Sequence, residues 1–174
     1  MSAPSLNILS QALFPLNIEL KEATMYQLIF RHLARKAFEN LNQGNCEPIL
    51  NSMASHFTHT FSGSHALGGT RHTVKGMRCW FERLFRLSPG LHFDIKAICV
   101  NGSPWNTVVA VEWVDHFTAL DGQPYINEGV HMLRFLWGRI VEIHAYLDTQ
   151  KVEVLLQRLA AVGIDEAVAP AIED

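Results

Sequence analysis

Between Leu91 and Leu147 the chain alternates apolar and polar residues, and the alternation breaks at Asn101-Gly102, Asp121-Gly122 and Gly138. A period of two marks half-buried strands, and Asn-Gly and Asp-Gly pairs mark tight turns between them. Four strands are predicted: Leu91 to Val100, Trp105 to Thr118, Ile126 to Trp137 and Arg139 to Leu147, forming an antiparallel meander. Upstream the period lengthens. Tyr26, Phe30, Leu33, Ala37 and Leu41 recur at helical spacing opposite Arg31, Arg35 and Asn40, in a helix from about Glu19 with Gly44 as its C′ residue. Asn45 is predicted to cap a short second helix that tolerates Pro48 in its first turn and turns Ile49, Leu50 and Met53 inward. Phe57 to Phe61 alternate as a short strand entering a Gly- and His-rich loop, Gly63 to His72. Thr73 then caps a third helix, Val74 to Leu87, with Met77, Trp80, Phe81 and Leu84 on one side and a stop at Ser88-Pro89-Gly90. A last amphipathic helix, Thr149 to Val162, begins at Asp148.

Helices followed by a twisted antiparallel meander make an α+β fold in which the strongly curved sheet wraps around the N-terminal helices, giving a cone-shaped α+β barrel with a mouth. At 174 residues and 48% hydrophobic content, the chain supports one substantial core. The expected organisation is an arm over residues 1–18, a single domain over 19–163 and a tail over 164–174. The net charge of −3 comes without a Lys/Arg cluster, which argues against nucleic acid and anionic membranes as partners. Ile8-Leu9 to Phe14-Pro15 is too short and interrupted for a signal peptide or a membrane span, so a soluble, cytoplasmic protein is expected. Cys46, Cys79 and Cys99 are odd in number and widely spaced, as reduced thiols are, and are expected as small buried hydrophobes.

Candidate chemistry starts at Asn127 and His131, which share one side of a strand with Gly129. An unpaired buried polar group costs roughly 1–3 kcal/mol, so two on a core-facing side suggest a polar-lined cavity. His56, His59, His65 and His72 do not form a convincing metal site, because His56 and His59 project from opposite faces of one strand. No metal or cofactor is predicted.

Gly44-Asn45-Cys46-Glu47-Pro48-Ile49-Leu50, the helix after Thr73, Glu112-Trp113-Val114-Asp115, Gly129-Val130-His131, and Gly138-Arg139-Ile140 through Tyr146-Leu147-Asp148 together resemble the nuclear transport factor 2-like (cystatin-like) superfamily over about residues 20–160. That superfamily includes ketosteroid isomerase, limonene epoxide hydrolase and the SnoaL-like polyketide cyclases. Carried over by position, the isomerase tyrosine and two carboxylates fall on Ala37, Phe61 and His131, and the epoxide hydrolase Arg-x-Asp pair and last-strand aspartate fall on Trp113, Asp115 and Ala145. The SnoaL-like cyclases match best, with their histidine on His131, although their last-strand aspartate also falls on Ala145.

The resemblance implies that His59 and Phe61, Trp113 and Asp115, and Asn127, Gly129 and His131 point inward together, with Ile143, Ala145 and Leu147 completing the lining and Trp80 facing it from the third helix. His131 and Asp115 are the candidate catalytic pair, the carboxylate orienting the imidazole. Asn127, Trp113, His59, Phe61, Trp80 and Leu147 are the candidate substrate-binding residues. Two functions follow. One is a cofactor-free isomerase, cyclase, lyase or hydrolase acting on an apolar, carbonyl-bearing molecule. The other is a non-catalytic binding or accessory module for a small hydrophobic molecule, favoured by the absence of carboxylates at Phe61 and Ala145. Glu142, His144 and Tyr146 have the opposite parity and are expected on an outer face that forms a homodimer.

Overall fold

The structure is a computed structural model that describes residues 25–174; the predicted arm and the first turns of the first helix lie outside the described residues. Helix α1 occupies 25–42. Phe30, Phe38 and Leu41 are its buried residues, with Tyr26, Ala34 and Ala37 packed beside them. Leu33, predicted inside, is 51% exposed. The buried stripe runs through Phe38 instead, one turn-edge away from the predicted one. Helix α2, Glu47–Ser52, has Cys46, not the predicted Asn45, at its N-cap position. Asn45 accepts from Glu47 N at 3.1 Å, one position earlier than a capping residue would.

Strand β1, Met53–Phe61, is followed by β2, Gly69–Arg71, inside the region expected to be a loop. Helix α3, Val74–Leu87, starts where Thr73 accepts from Gly76 N. It buries Met77, Trp80, Phe81, Leu84 and Leu87. Each such side chain contributes roughly 1.5–3 kcal/mol of transfer free energy, so this face anchors the helix to the sheet. The meander follows as β3 His92–Ser103, β4 Asn106–Thr118, β5 Pro124–Leu136 and β6 Arg139–Leu147. Helix α4, Thr149–Ala161, is capped by Asp148, whose carboxylate accepts from Gln150 N and Lys151 N.

The six strands form one open sheet in the order β2-β1-β6-β5-β4-β3. The sheet is mixed, because β1 lies parallel to β6 while every other neighbouring pair is antiparallel. Gly102, expected in the first hairpin turn, instead pairs with Thr107 inside the ladder. Its φ of +108 is open to glycine, and a Cβ there would fall 2.2 Å from Asn106 O.

The 164–174 tail packs on the body. It forms a 3₁₀ turn at Asp165–Val168. Glu166 pairs with Arg83 and Arg86, and Asp174 accepts from His72 N and Thr73 N. The three cysteines are unpaired, and none is a buried hydrophobe as expected, since Cys46 and Cys79 are half-buried and Cys99 is exposed. Among the described residues no helix is long and apolar enough to cross a membrane.

Candidate active site

The sheet and helices α1 to α4 enclose a cavity of about 220 Å³. Its walls include Phe38, Met77, Trp80, Phe93, Val109 and Phe117, and it reaches the surface beside Leu33, Lys36, Pro48 and Gly138. Pockets for drug-sized ligands run to roughly 300–1,000 Å³, so the occupant suited to this space is small. Of the predicted site residues, His131, Asp115, Trp113, His59, Phe61, Trp80 and Leu147 all line it.

Asn127 is the one that does not. It is fully buried in the wall, with its hydrogen-bonding capacity spent inside the protein. Its amide nitrogen donates to Tyr125 Oη at 2.9 Å and to Asp148 O at 3.1 Å, its Oδ1 accepts from Glu128 N, and its backbone N–H donates to Asp115 Oδ1 at 3.0 Å. It acts as a bracket tying Asp115, Tyr125 and the start of α4 together.

The expected His131–Asp115 hydrogen bond is absent. Trp113 Nε1 donates to His131 Nδ1 at 2.6 Å instead. The ladder explains the exchange: Val111 is opposite His131 and Trp113 opposite Gly129, so Trp113 is diagonal to the histidine, while Asp115 is opposite Asn127. Gly129 makes room for the indole. A Cβ at Gly129 would lie 2.8 Å from Trp113 Cζ2 and 2.5 Å from Tyr146 O. Gly129→Ala is therefore expected to destabilise the fold by about 1–3 kcal/mol, the usual range for overpacking, as read by urea unfolding. Unchanged stability would mean that the indole does not press on this strand.

An indole N–H only donates, so His131 Nδ1 must carry the lone pair and the neutral ring must carry its proton on Nε2. Nε2 has no partner among the described residues, and the residue lines the cavity. The ring is walled in by Phe38, Phe93 and Trp113, yet keeps surface of its own because that surface faces the cavity. Burial pushes its pKa down to about 4, opposite in sign to the shift expected from a carboxylate neighbour. His131 is thus a neutral hydrogen-bond donor into the cavity.

Asp115 accepts one backbone bond at Oδ1, its Oδ2 has no partner among the described residues, and the residue lines the cavity. Burial pushes its carboxyl up to about 6 against the opposing Asn127 amide bond. Tyr125, not singled out in the sequence, also lines the cavity. Its oxygen accepts from Asn127, so its own O–H proton is available, and burial with the nearby Asp115 charge raises its pKa and keeps that proton on.

His59 is held from behind by a buried cation. Arg71 Nη1 donates to His59 Nδ1 at 3.1 Å, so this ring also carries its proton on Nε2, and burial followed by the Arg71 charge keeps it neutral. Arg71 itself is fully buried, donates to the carbonyls of Gly68 and of Ile172 in the tail, and lies over the Trp80 ring. No carboxylate is within ion-pair distance of it among the described residues, and burial pushes its pKa down to about 10.

Comparisons with known structures place this architecture. An NTF2-like protein of unknown function from Burkholderia pseudomallei is similar at 20% identity, with 72% of this chain and 95% of that one covered and a TM-score of 0.64. PrhC from Penicillium brasilianum is similar at 21% identity, with 78% and 89% covered and a TM-score of 0.64. A putative SnoaL-like polyketide cyclase from a Jannaschia species is similar at 15% identity, with 74% and 92% covered and a TM-score of 0.58. The fold is the NTF2-like α+β cone. More narrowly, the chain belongs to the SnoaL-like domain family, which matches residues 34–143. A search of curated proteins finds no match.

Proposed function

We propose that the cavity takes a small, apolar, carbonyl-bearing molecule and that Asp115 moves a proton on it while His131 holds the carbonyl oxygen, as an isomerase or cyclase without a cofactor would. The observation that carries this is the Trp113–His131 bond, which leaves an Nε2–H donor in the same cavity as the open oxygen of Asp115. Asp115 Oδ2 takes the proton from the carbon next to the substrate carbonyl, and that C–H electron pair moves into an enolate. His131 Nε2–H, with the Tyr125 hydroxyl, holds the enolate oxygen. Return of the proton from Asp115 to another carbon gives an isomer; attack of the enolate carbon on a second carbonyl of the same molecule closes a ring, the C=O electron pair moving onto its oxygen, which takes the proton back from Asp115. The SnoaL-like cyclase among the structural neighbours supports this class of chemistry by its name, and the mostly apolar lining supports the ligand class.

Asp115 therefore acts as the base and His131 as the donor, rather than as two exchanging acid–base groups. The competing function is a non-catalytic carrier of a hydrophobic ligand, favoured by Phe61 and Ala145 standing where the resemblance to ketosteroid isomerases and SnoaL-like cyclases implies carboxylates. Incubation in D₂O with a panel of small cyclic ketones distinguishes the two. Mass spectrometry showing deuterium beside the carbonyl supports the enzyme. Ligand retention in native mass spectra without any exchange supports the carrier.

The proposal extends to a homodimer through the outer sheet face. Glu142 and Tyr146 are exposed there, and Tyr146 stacks on His144 at 3.8 Å between ring centroids. Light scattering is expected to give twice the chain mass at micromolar concentration, and Tyr146→Glu to shift it toward the monomer. A wild-type monomer across that range contradicts the interface.

A further inference from the structure

The outer sheet face carries a cluster that the cavity does not use. His92 and His116 are direct partners across the β3–β4 ladder, and Asp94, two residues along β3, shares their face. One donor atom from each of the three lies within 4.8 Å of the others. Asp94 stands between the rings, with Oδ1 3.6 Å from His92 Nε2 and Oδ2 3.4 Å from His116 Nε2. Both separations exceed a good N–H···O hydrogen bond, roughly 2.7–3.2 Å. The two are measured to different oxygens of Asp94, and each is close to the spacing of two neighbouring ligands around a tetrahedral ion with bonds of about 2.0–2.1 Å, which is about 3.3 Å.

We propose that His92, Asp94 and His116 bind one first-row divalent cation, of the Zn²⁺ type, with water in the remaining position. Two imidazoles and one carboxylate are a donor set suited to zinc, cobalt and nickel, and less so to magnesium or calcium, which prefer oxygen throughout. The frame is held before any ion arrives. The ladder fixes the two histidines opposite each other, and the Asn42 side chain pins the start of β3 by accepting from Phe93 N at 2.7 Å and donating to Phe93 O at 3.1 Å. The same amide nitrogen approaches His92 Nε2 at 3.5 Å. Among the described residues, no lysine or arginine pairs with Asp94, so its charge is left to the two rings. The three side chains are about half exposed, at 48% for each histidine and 50% for the aspartate, so an ion reaches them and the rings turn to close the remaining gap. Their neighbours Phe93 and Asp115 point into the cavity, which makes this a separate site on the opposite face.

The test is titration of the tag-free, metal-stripped protein with Zn²⁺ by calorimetry, and with Co²⁺ by visible absorption. One ion per chain is expected, with a rise in melting temperature on addition of Zn²⁺. Asp94→Asn and His116→Ala should each weaken binding by about 10–100-fold or more, at least the loss seen when even a supporting partner of a metal ligand is removed. His56→Ala, an exposed histidine elsewhere, should bind as the wild type does. Melting temperatures of the metal-free variants matching the wild type will show that the fold is intact. Absence of binding at millimolar Zn²⁺, or equal binding by wild type, Asp94→Asn and His116→Ala, overturns the site.

Discussion

Asp115→Asn is expected to lose the proton-transfer activity by about 10²–10⁴-fold, the usual contribution of a positioned general base, while still taking up ligand. The substitution keeps the size of the side chain and an oxygen to accept the Asn127 backbone N–H, so packing changes little. What disappears is the carboxylate lone pair in the cavity, since an amide oxygen is a far weaker base. Deuterium exchange into a bound ketone measures turnover, and native mass spectrometry measures retention. Loss of both together would mean that Asp115 shapes the cavity rather than acting on its contents. Unchanged exchange would place the base elsewhere.

His131→Phe carries the second large effect, and it shows in two measurements with opposite signs. Removing an oxyanion donor costs about 10²–10³ in kcat in comparable sites, so turnover should fall by that order. Stability at low pH should rise relative to wild type. The ring's pKa is about 4 in the folded chain and about 6.5 in the unfolded chain, so on acidification the unfolded state takes up the proton first. The histidine's contribution to stability is intact above about pH 6.5 and is lost progressively as pH falls toward 4, reaching about 3 kcal/mol. Phenylalanine has no such proton. Asp115 and His59 titrate in both proteins, so the difference between the two urea-unfolding curves, taken at pH 7 and near pH 4.5, isolates His131. A constant difference across that range contradicts a neutral, buried ring.

Much of this was written in local pattern. The period-two run after Leu91 placed four strands, with Asp121-Gly122 and Gly138 in two of the turns but Asn101-Gly102 inside the first ladder, and Thr73 and Asp148 placed two helix starts, because caps and alternation are decided by residues a few positions apart. The parallel pairing of β1 with β6 was not legible, since Phe57 to Phe61 alternates the same way whichever neighbour it joins. Strand parity put Trp113, Asp115 and His131 on one face but could not say which would touch. That depends on the β4–β5 register, in which Trp113 meets Gly129 and Asp115 meets Asn127. Gly129 was the available signal: a glycine on the inward side of a strand marks a place where something large comes close. Arg71 gave no warning at all, because its burial depends on Gly68 and on the tail carbonyl of Ile172, about a hundred residues away. The His92, Asp94 and His116 cluster was half visible, as a His-x-Asp pair on one strand whose third member comes from the neighbouring strand.

Donation into the cavity depends on which nitrogen of His131 carries the proton, and long-range ¹H–¹⁵N NMR of the imidazole reads this directly. The predicted result is a neutral ring with its proton on Nε2 and an unprotonated Nδ1 accepting from the Trp113 indole, unchanged from pH 8 down to about pH 5, consistent with a pKa of about 4. Trp113→Phe, which deletes the indole donor, should release that tautomer. A wild-type ring that is charged at neutral pH, or protonated on Nδ1, would contradict the account.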